Sequence, residues 1–177
     1  VRTDDPVYLE AAANWFREVN AIIERFLPEH GGNLVLYQIE NELIWTERQY
    51  FRQLVRWARR DGINVPLITN LAPDTRTSPD IADSLDLYPG PWNIHKPEWA
   101  VADLIAGQPG KLASCPELQM GFAVEIGSTL PTMVGPIVKE WVEVHTKTLI
   151  ARGLNLLNYY IFCGGTSTGY RTGRRDI

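Results

Sequence analysis

The chain has 177 residues, 45% of them hydrophobic and 21% charged, with a formal net charge of -4. This composition is typical of a globular protein with enough apolar material for a sizeable core. The mild acidity gives no reason to expect a nucleic-acid partner, because the only dense cluster of basic residues is at 171–175. No apolar run approaches the roughly 20 residues of a membrane span, so no membrane partner is expected.

Cysteine and histidine usage predicts neither a metal site nor another cofactor. Cys115 and Cys163 are too few for a disulfide framework or a zinc site, and we expect buried free thiols. His30 and His95 have no second ligand nearby in the sequence, and His145 is expected to be a packed or surface residue of a helix. The chain begins without an initiator Met or a signal-peptide pattern, so its compartment stays open.

Strands and helices are predicted to alternate along the first half of the chain. They are a helix over 6–27, a strand that starts at Leu34, a helix over 47–60 and a strand over 65–69. Asp5 and Pro6 provide the cap and first position of the first helix, and Pro28 ends it. Its apolar residues recur with a period near 3.6, which indicates an amphipathic helix.

The same alternation continues in the second half. The predicted elements are a strand over 84–88, a helix from Pro97 to Gly107, a strand over 120–126, a helix over 135–152 and a strand over 154–162. Strands that alternate with helices are typical of βαβ units on a parallel sheet. The strand starts lie about 30 residues apart on average, which suits the units of a (β/α)8 barrel.

A closed barrel needs eight units in roughly 250 residues, and only five are predicted here. The α/β sheet is therefore either an open doubly wound sheet or a parallel TIM-barrel type that lacks its first three βα units. No Gly-rich phosphate motif follows any predicted strand, which disfavours the nucleotide-binding alternative. We find no linker, and we read residues 1–177 as a single domain that is incomplete on its N-terminal side.

Polar side chains stand at the predicted carboxyl ends of the strands, where parallel barrels carry their functional residues. They are Asn41, Glu42, Asn70, Tyr88, Glu125 and Tyr159 or Tyr160. Two carboxylates in such a set suit glycoside hydrolysis, in which one protonates the glycosidic oxygen and the other attacks the anomeric carbon. Trp45 and Trp92 follow strand ends and are candidates for stacking on a sugar ring.

Each of these residues also has a structural interpretation. Asn41 can be a helix N-cap, and Glu42 can be an exposed loop acid. Glu125 is the one charge in its predicted strand and must find a partner or keep its proton, so a structural salt bridge is its alternative. Tyr159 and Tyr160 point to opposite faces of a strand, and therefore at most one of them faces a site.

Two segments, GGNLVLYQIENE at residues 31–42 and NYYIFCGGTS at residues 158–167, resemble motifs of glycoside hydrolase family 35, the β-galactosidases. Residues 31–42 are similar to the family's glycine pair, strand and Gln-x-Glu-Asn-Glu. Residues 158–167 resemble its last-strand motif Asn-x-Tyr-Met-x-x-Gly-Gly-Thr-Asn, with Ser167 in place of the last Asn. The residues from Val1 to Trp15 are also similar to the family pattern, so the resemblance covers most of the chain.

The resemblance implies a (β/α)8 barrel and a retaining mechanism on a β-galactoside. Glu42 on the fourth strand would be the general acid/base, and Glu125 on the seventh would be the nucleophile. The family's substrate-binding positions correspond to Glu40, Asn41, Tyr88 and Tyr160. The family follows its nucleophile with an aromatic residue and then a Gly-Trp pair, whereas residues 126–131 (IGSTLP) follow Glu125 here.

Two other interpretations stay open. Endoglucanase-like and mannanase-like retaining glycosidases share the Asn-Glu and Glu positions on the same barrel, but they lack the Gly-Gly-Thr ending. The chain can also be a catalytically inactive fragment, because five of eight strands leave open sheet edges that favour aggregation. The absent strands would come from the remainder of the same protein or from a second copy in a homo-oligomer.

Overall fold

The computed structural model describes residues 2–44, 48–88, 96–119, 123–125, 139–160, 162 and 174–176. The chain divides into two compact units, Val1–Ser84 and Leu85–Ile177. Each unit combines helices with parallel strands, so the predicted α/β class is confirmed. The single catalytic domain stays a prediction. Within the described residues, no helix has the length and apolarity needed to cross a bilayer.

The first unit contains the two predicted helices and the two predicted strands in the expected order, together with a third strand. Its elements are α1 (Pro6–Ile23), β1 (Tyr37–Gln38), α2 (Arg48–Arg60), β2 (Leu67–Ile68) and β3 (Ile81–Ala82). The strands pair in parallel in the order β1-β2-β3. The strands β1 and β2 are shorter than predicted, and β3 lies between the strands predicted over 65–69 and 84–88, where no strand was predicted.

Helix α1 begins at the predicted cap, where the Asp5 carboxylate accepts a hydrogen bond from the Tyr8 N–H at 3.0 Å. It ends earlier than predicted, because the last turn tightens into a 3-10 helix at Glu24–Phe26. The predicted glycine pair follows, and it is required. A Cβ on Gly32 would lie 1.9 Å from the Phe26 carbonyl oxygen, and Gly31 has a left-handed φ of 79°.

The core of the first unit packs α1 and α2 against the sheet. Leu27, Leu54 and Ile63 are completely buried in it, and the Phe16 and Trp57 rings pack with their centroids 5.6 Å apart. Because both helices cover one face of the parallel strands, the strand ends remain the place where polar side chains can meet.

The second unit carries its own parallel sheet. Its elements are β4 (Asp86–Leu87), α3 (Lys96–Gly107), β5 (Ser114–Gln119), β6 (Ala123–Glu125), α4 (Lys139–Ala151), β7 (Leu156–Tyr160) and β8 (Arg174–Asp176). The parallel order is β4-β5-β7, whereas β6 and β8 form a separate antiparallel pair. Leu87, Leu118 and Leu149 are buried between this sheet and the two helices.

The strand predicted over 120–126 requires a correction. The strand that pairs with both β4 and β7 is β5, which lies just before that segment. Strand β5 was not predicted, because Pro116 and Glu117 interrupt the apolar pattern that would mark a buried strand. The part of the predicted strand that the structure describes is β6, and β6 pairs in antiparallel fashion with β8.

Strand β5 accommodates Pro116 with a bulge. Its register against β7 shifts between Cys115 and Leu118, and the Pro116 carbonyl accepts a hydrogen bond from the Asn158 side chain at 2.9 Å. Bulges tolerate proline and re-aim the residues beside them. Cys115 and Leu118 are both buried in the core, so Glu117 lies on the opposite face of the sheet.

The connection from β2 to β3 depends on the buried carboxylate of Asp83. It accepts hydrogen bonds from the Ala72 N–H at 2.8 Å and the Ser84 N–H at 2.9 Å, and it pairs with Arg76 at 2.8 Å. The Asp83 side chain is fully buried and that of Arg76 is largely so. Removing one partner of such a pair leaves the other charge buried without compensation.

We therefore expect Asp83→Ala to lower the free energy of unfolding by about 3 kcal/mol or more. Glu98→Ala is the matched control, because Glu98 pairs with Arg152 at 2.9 Å on the surface and such pairs contribute about 1 kcal/mol or less. Urea denaturation of both variants measures the difference. Equal losses would show that the buried pair does not hold this connection.

Candidate active site

Three amide side chains meet at the carboxyl ends of β1 and β2. The Gln38 Nε2 donates to the Asn41 Oδ1 and the Asn70 Oδ1, both at 3.0 Å, and the Asn70 Nδ2 donates to the Asn41 Oδ1 at 2.9 Å. Asn70 is completely buried, whereas Asn41 is exposed. Two donors thus fix the Asn41 amide through its oxygen, and among the described residues none accepts a hydrogen bond from its Nδ2.

Glu42 follows directly and has a strained backbone. Its φ is +50°, in the left-handed region that residues other than Gly, Asn and Asp seldom adopt. Its N–H donates to the Asn70 Oδ1 at 3.1 Å, which holds this conformation. The residue is exposed, and within its own unit no described group hydrogen-bonds its carboxylate. Backbone strain of this kind is found at functional sites, where the surrounding contacts sustain it.

Unlike the exposed Glu42, Glu40 has a carboxylate that is largely buried and hydrogen-bonded. Its side chain is 10% exposed, and its carboxylate accepts hydrogen bonds from Arg2 at 3.2 Å, from the Asn41 N–H at 2.8 Å and from the Tyr50 hydroxyl at 2.7 Å. Arg2 also donates to the Asn41 carbonyl oxygen at 2.7 Å. These contacts connect the strand end to the start of the chain and to α2. Glu40 therefore anchors the turn that carries Asn41 and Glu42.

The network extends through Tyr50 to Tyr8, whose hydroxyl lies 3.2 Å from that of Tyr50. The single proton of the Tyr50 hydroxyl goes to Glu40, so Tyr8 donates to Tyr50. Burial and the hydrogen bonds with Tyr8 and Glu40 raise the pKa of Tyr50, which remains a neutral donor at any physiological pH.

The second unit presents a polar face on its parallel sheet. Asp86 lies opposite Glu117 in register, and Gln119 lies opposite Tyr160. Side chains alternate along a strand, so Glu117 and Gln119 share one face, while Leu118 packs on the helices. The Tyr88 hydroxyl donates to the Glu117 Oε2 at 2.5 Å. Among the described residues of this unit, none hydrogen-bonds the Glu117 Oε1.

Two tyrosines lie on this polar face, one of them hydrogen-bonded to Glu117. The Tyr88 and Tyr160 rings meet edge to face with centroids 5.6 Å apart, and both residues are partly exposed. Burial and the hydrogen bond to Glu117 raise the pKa of Tyr88, so this phenol stays protonated and donates. Tyr159 points the other way and its hydroxyl lies 3.0 Å from that of Thr146 on α4. Of the two adjacent tyrosines, Tyr160 is the one on the polar face.

The structure brings the predicted residues together in two groups. The first unit joins Glu40, Asn41 and Glu42, and the second joins Tyr88 and Tyr160. Glu125 lies on β6, where its backbone pairs with Arg174, and not on the parallel sheet. Its predicted role as nucleophile stays a prediction. Trp45, Trp92 and the predicted Gly-Gly-Thr segment at 164–166 lie outside the described residues.

The sequence interpretation missed Gln38 and Glu117. Glu117 had a usable signal, because a glycine and an aromatic residue, Gly121 and Phe122, follow it four and five positions later. This pair is similar to the Gly-Trp pair that the family resemblance places after the nucleophile and that the residues after Glu125 lack, although Leu118 stands where the family has an aromatic residue. Gln38 belongs to the Gln-x-Glu-Asn-Glu motif, but the motif did not indicate its role, since that role depends on a contact with Asn70 at the end of the next strand.

Two other reactive side chains of the second unit belong to its core. Cys115 is a free, buried thiol as predicted, and burial raises its pKa to about 12, which makes it unreactive. His145 packs on Trp141 with ring centroids 4.5 Å apart, and burial lowers its pKa. Neither residue lies on the polar face of the sheet.

Comparisons with known proteins agree with these features. The family model for glycosyl hydrolases family 35 matches residues 1–177. The chain is 28% identical over 96% of its length to a probable beta-galactosidase B of Pyrenophora tritici-repentis, and 29% identical over 96% to a probable beta-galactosidase A of Aspergillus fumigatus. It is 25% identical over 96% to a beta-galactosidase of Aspergillus niger. The chain spans 20%, 19% and 19% of these relatives, respectively, so about a fifth of their length.

The anchoring of Glu40 gives a prediction for the two tyrosines. Tyr50→Phe removes a donor to a largely buried carboxylate and should lower the free energy of unfolding by about 2 kcal/mol. Tyr8→Phe removes only a hydrogen bond between two hydroxyls and should cost about 1 kcal/mol or less. Urea denaturation compares the two variants. A larger loss for Tyr8→Phe would contradict the direction assigned to this chain of hydrogen bonds.

Proposed function

This chain belongs to glycosyl hydrolases family 35, and on that basis we propose that it forms part of the catalytic domain of a β-galactosidase. The observation that carries the proposal is the exposed Glu42 at the end of β1, whose backbone N–H is held by the buried Asn70 side chain. The proposed reaction removes terminal β-galactosyl residues with retention, through a covalent glycosyl-enzyme.

Glu42 is proposed as the general acid/base. Its backbone is held by Asn70, and its exposed carboxyl group can protonate a leaving oxygen and later deprotonate the attacking water. Asn41 is proposed to bind the sugar through its Nδ2, because two donors already fix its oxygen. Preorganised groups of this kind accelerate a reaction because they need no rearrangement in the transition state.

Two carboxylates are candidates for the nucleophile. The family resemblance suggested Glu125, and the geometry favours Glu117. A charge-assisted hydrogen bond from Tyr88 orients one oxygen of Glu117 and leaves the other available for attack on an anomeric carbon. Glu117 also lies on the parallel sheet, where barrel enzymes carry their catalytic residues, whereas β6 pairs elsewhere. We therefore assign the attack to Glu117 and keep Glu125 as the alternative.

The remaining predicted residues take two roles. Tyr88, which donates to Glu117, and Tyr160, which packs on Tyr88, are partly exposed aromatic rings suited to packing against the apolar face of a pyranose. Glu40 was expected to contact the sugar. Its three protein donors support a different proposal, in which Glu40 positions Asn41 and Glu42 without contacting substrate.

The parallel order of both sheets suits consecutive strands of a (β/α)8 barrel. Since the relatives are about five times longer, we propose that the remaining strands belong to the same natural protein and not to a second copy. A panel of nitrophenyl glycosides separates a β-galactosidase from an endoglucanase-like or mannanase-like enzyme. Hydrolysis of none of them would support the inactive alternative.

Replacing the acid/base should affect substrates according to their leaving groups. Glu42→Gln should slow hydrolysis of an alkyl β-galactoside by about 100-fold or more, and that of a dinitrophenyl β-galactoside far less, because a good leaving group needs no proton. Glu40→Gln is the matched control and should show no such dependence on the leaving group. Steady-state kcat/KM values for both substrates test this, and an equal loss on both would remove Glu42 from this role.

Two variants, Glu117→Ala and Glu125→Ala, test the assignment of the nucleophile. Glu117→Ala should lose hydrolysis by at least about 1000-fold, and added azide should yield the inverted α-galactosyl azide, because azide then attacks the anomeric carbon directly. Glu125→Ala should keep substantial activity and give no such adduct. Product analysis by NMR distinguishes the outcomes. The reverse result would assign the attack to Glu125.

A further inference from the structure

Gln119 is a buried polar side chain with no structural partner for its oxygen. The residue is 2% exposed, and its Oε1 has no hydrogen-bond partner among the described residues. Most buried polar atoms in folded proteins are hydrogen-bonded, so an exception of this kind requires an explanation. An amide retained in a buried position at a cost to stability is typical of a group kept for a ligand.

The position of Gln119 indicates what that ligand is. It follows Glu117 by two residues on β5, shares its face, and lies opposite Tyr160 in register. The next residue on the same face stands about 6.6 Å further along a strand. That spacing is close to the length of one pyranose ring plus a hydrogen bond of about 2.8 Å, so side chains at the two positions can contact opposite ends of the same sugar.

His145 has a similar unpartnered atom, its Nε2, and provides a contrast. It lies on α4 and packs on the Trp141 ring in the core. No catalytic carboxylate neighbours it on α4, and aromatic packing accounts for its position. Gln119 differs because it shares a sheet face with a carboxylate and two partly exposed tyrosines.

We propose that Gln119 is a specificity-determining residue whose Oε1 accepts a hydrogen bond from a hydroxyl group of the terminal sugar, on the side of the ring remote from its anomeric carbon. This inference rests on the proposed function and names the contact that selects the sugar. A buried acceptor that loses its partner discriminates strongly against an analogue without the hydroxyl. Gln119 therefore affects which glycoside is bound, while Glu42 and Glu117 perform the chemistry.

The test combines variants with deoxy substrates in the natural protein that contains these residues. Gln119→Leu keeps the volume and removes the acceptor, and Gln119→Met serves if the leucine variant does not fold. Gln108→Leu is the matched control, because Gln108 is equally buried but donates to the Leu112 carbonyl oxygen at 3.0 Å. The substrates are nitrophenyl β-galactoside and its 3-, 4- and 6-deoxy analogues, and free galactose serves as a competitive inhibitor.

For the wild-type protein, we expect one deoxy analogue to lose about 10-fold or more in kcat/KM. Gln119→Leu should lower kcat/KM for the parent substrate by a similar factor, but it should leave kcat/KM for that deoxy analogue at the wild-type value. It should also bind galactose more weakly by about the same factor. The control variant Gln108→Leu should change kcat/KM by the same factor for every substrate. A uniform loss across all substrates, or unchanged galactose binding, would overturn the inference and leave the proposed function intact. A wild-type protein that neither hydrolyses the galactosides nor binds galactose would overturn both.

Discussion

The hydrogen bonds of the Asn70 side chain join the carboxyl ends of two parallel strands, and the position of Glu42 depends on them. The buried amide oxygen accepts from the Glu42 N–H and from Gln38, and its nitrogen donates to Asn41. A left-handed backbone at a glutamate costs free energy, and it persists only where neighbouring contacts sustain it. The connection to β3, tied to buried Asp83, holds the chain that follows Asn70.

The bulge in β5 performs the corresponding task in the second unit. A regular strand would place Cys115 and Glu117 on the same face, which is the face that packs on α3 and α4. A carboxylate there would be buried among leucines at a high cost in free energy. The bulge at Pro116 places Glu117 on the other face, where Tyr88 can donate to it. Pro116, which disrupts the apolar pattern of the strand, thus also places Glu117 on the polar face.

The Asn70 contacts and the β5 bulge also show which parts of the fold and the candidate site could be predicted from the sequence. The cap of α1, the glycine pair and the residues at the end of β1 were predictable, because local chemistry determines each of them. Strand β5 was not, since its proline and glutamate break the apolar alternation that identifies strands. The roles of Gln38 and Asn70 depend on contacts between strands about 30 residues apart, which no local pattern encodes.

Glu40 and Glu42 show why residue type and spacing alone could not assign the carboxylates. They are two positions apart in one strand-end motif. Three donors hydrogen-bond the Glu40 carboxylate, whereas none of the described residues of the first unit hydrogen-bonds that of Glu42. Environment decides which of two carboxylates is available for proton transfer. A saturated carboxylate acts through the backbone that it fixes, and an open one can meet a substrate. The division between the anchoring carboxylate and the one proposed for catalysis therefore arises from the packing of α1 and α2, which bring Tyr8 and Tyr50 to Glu40.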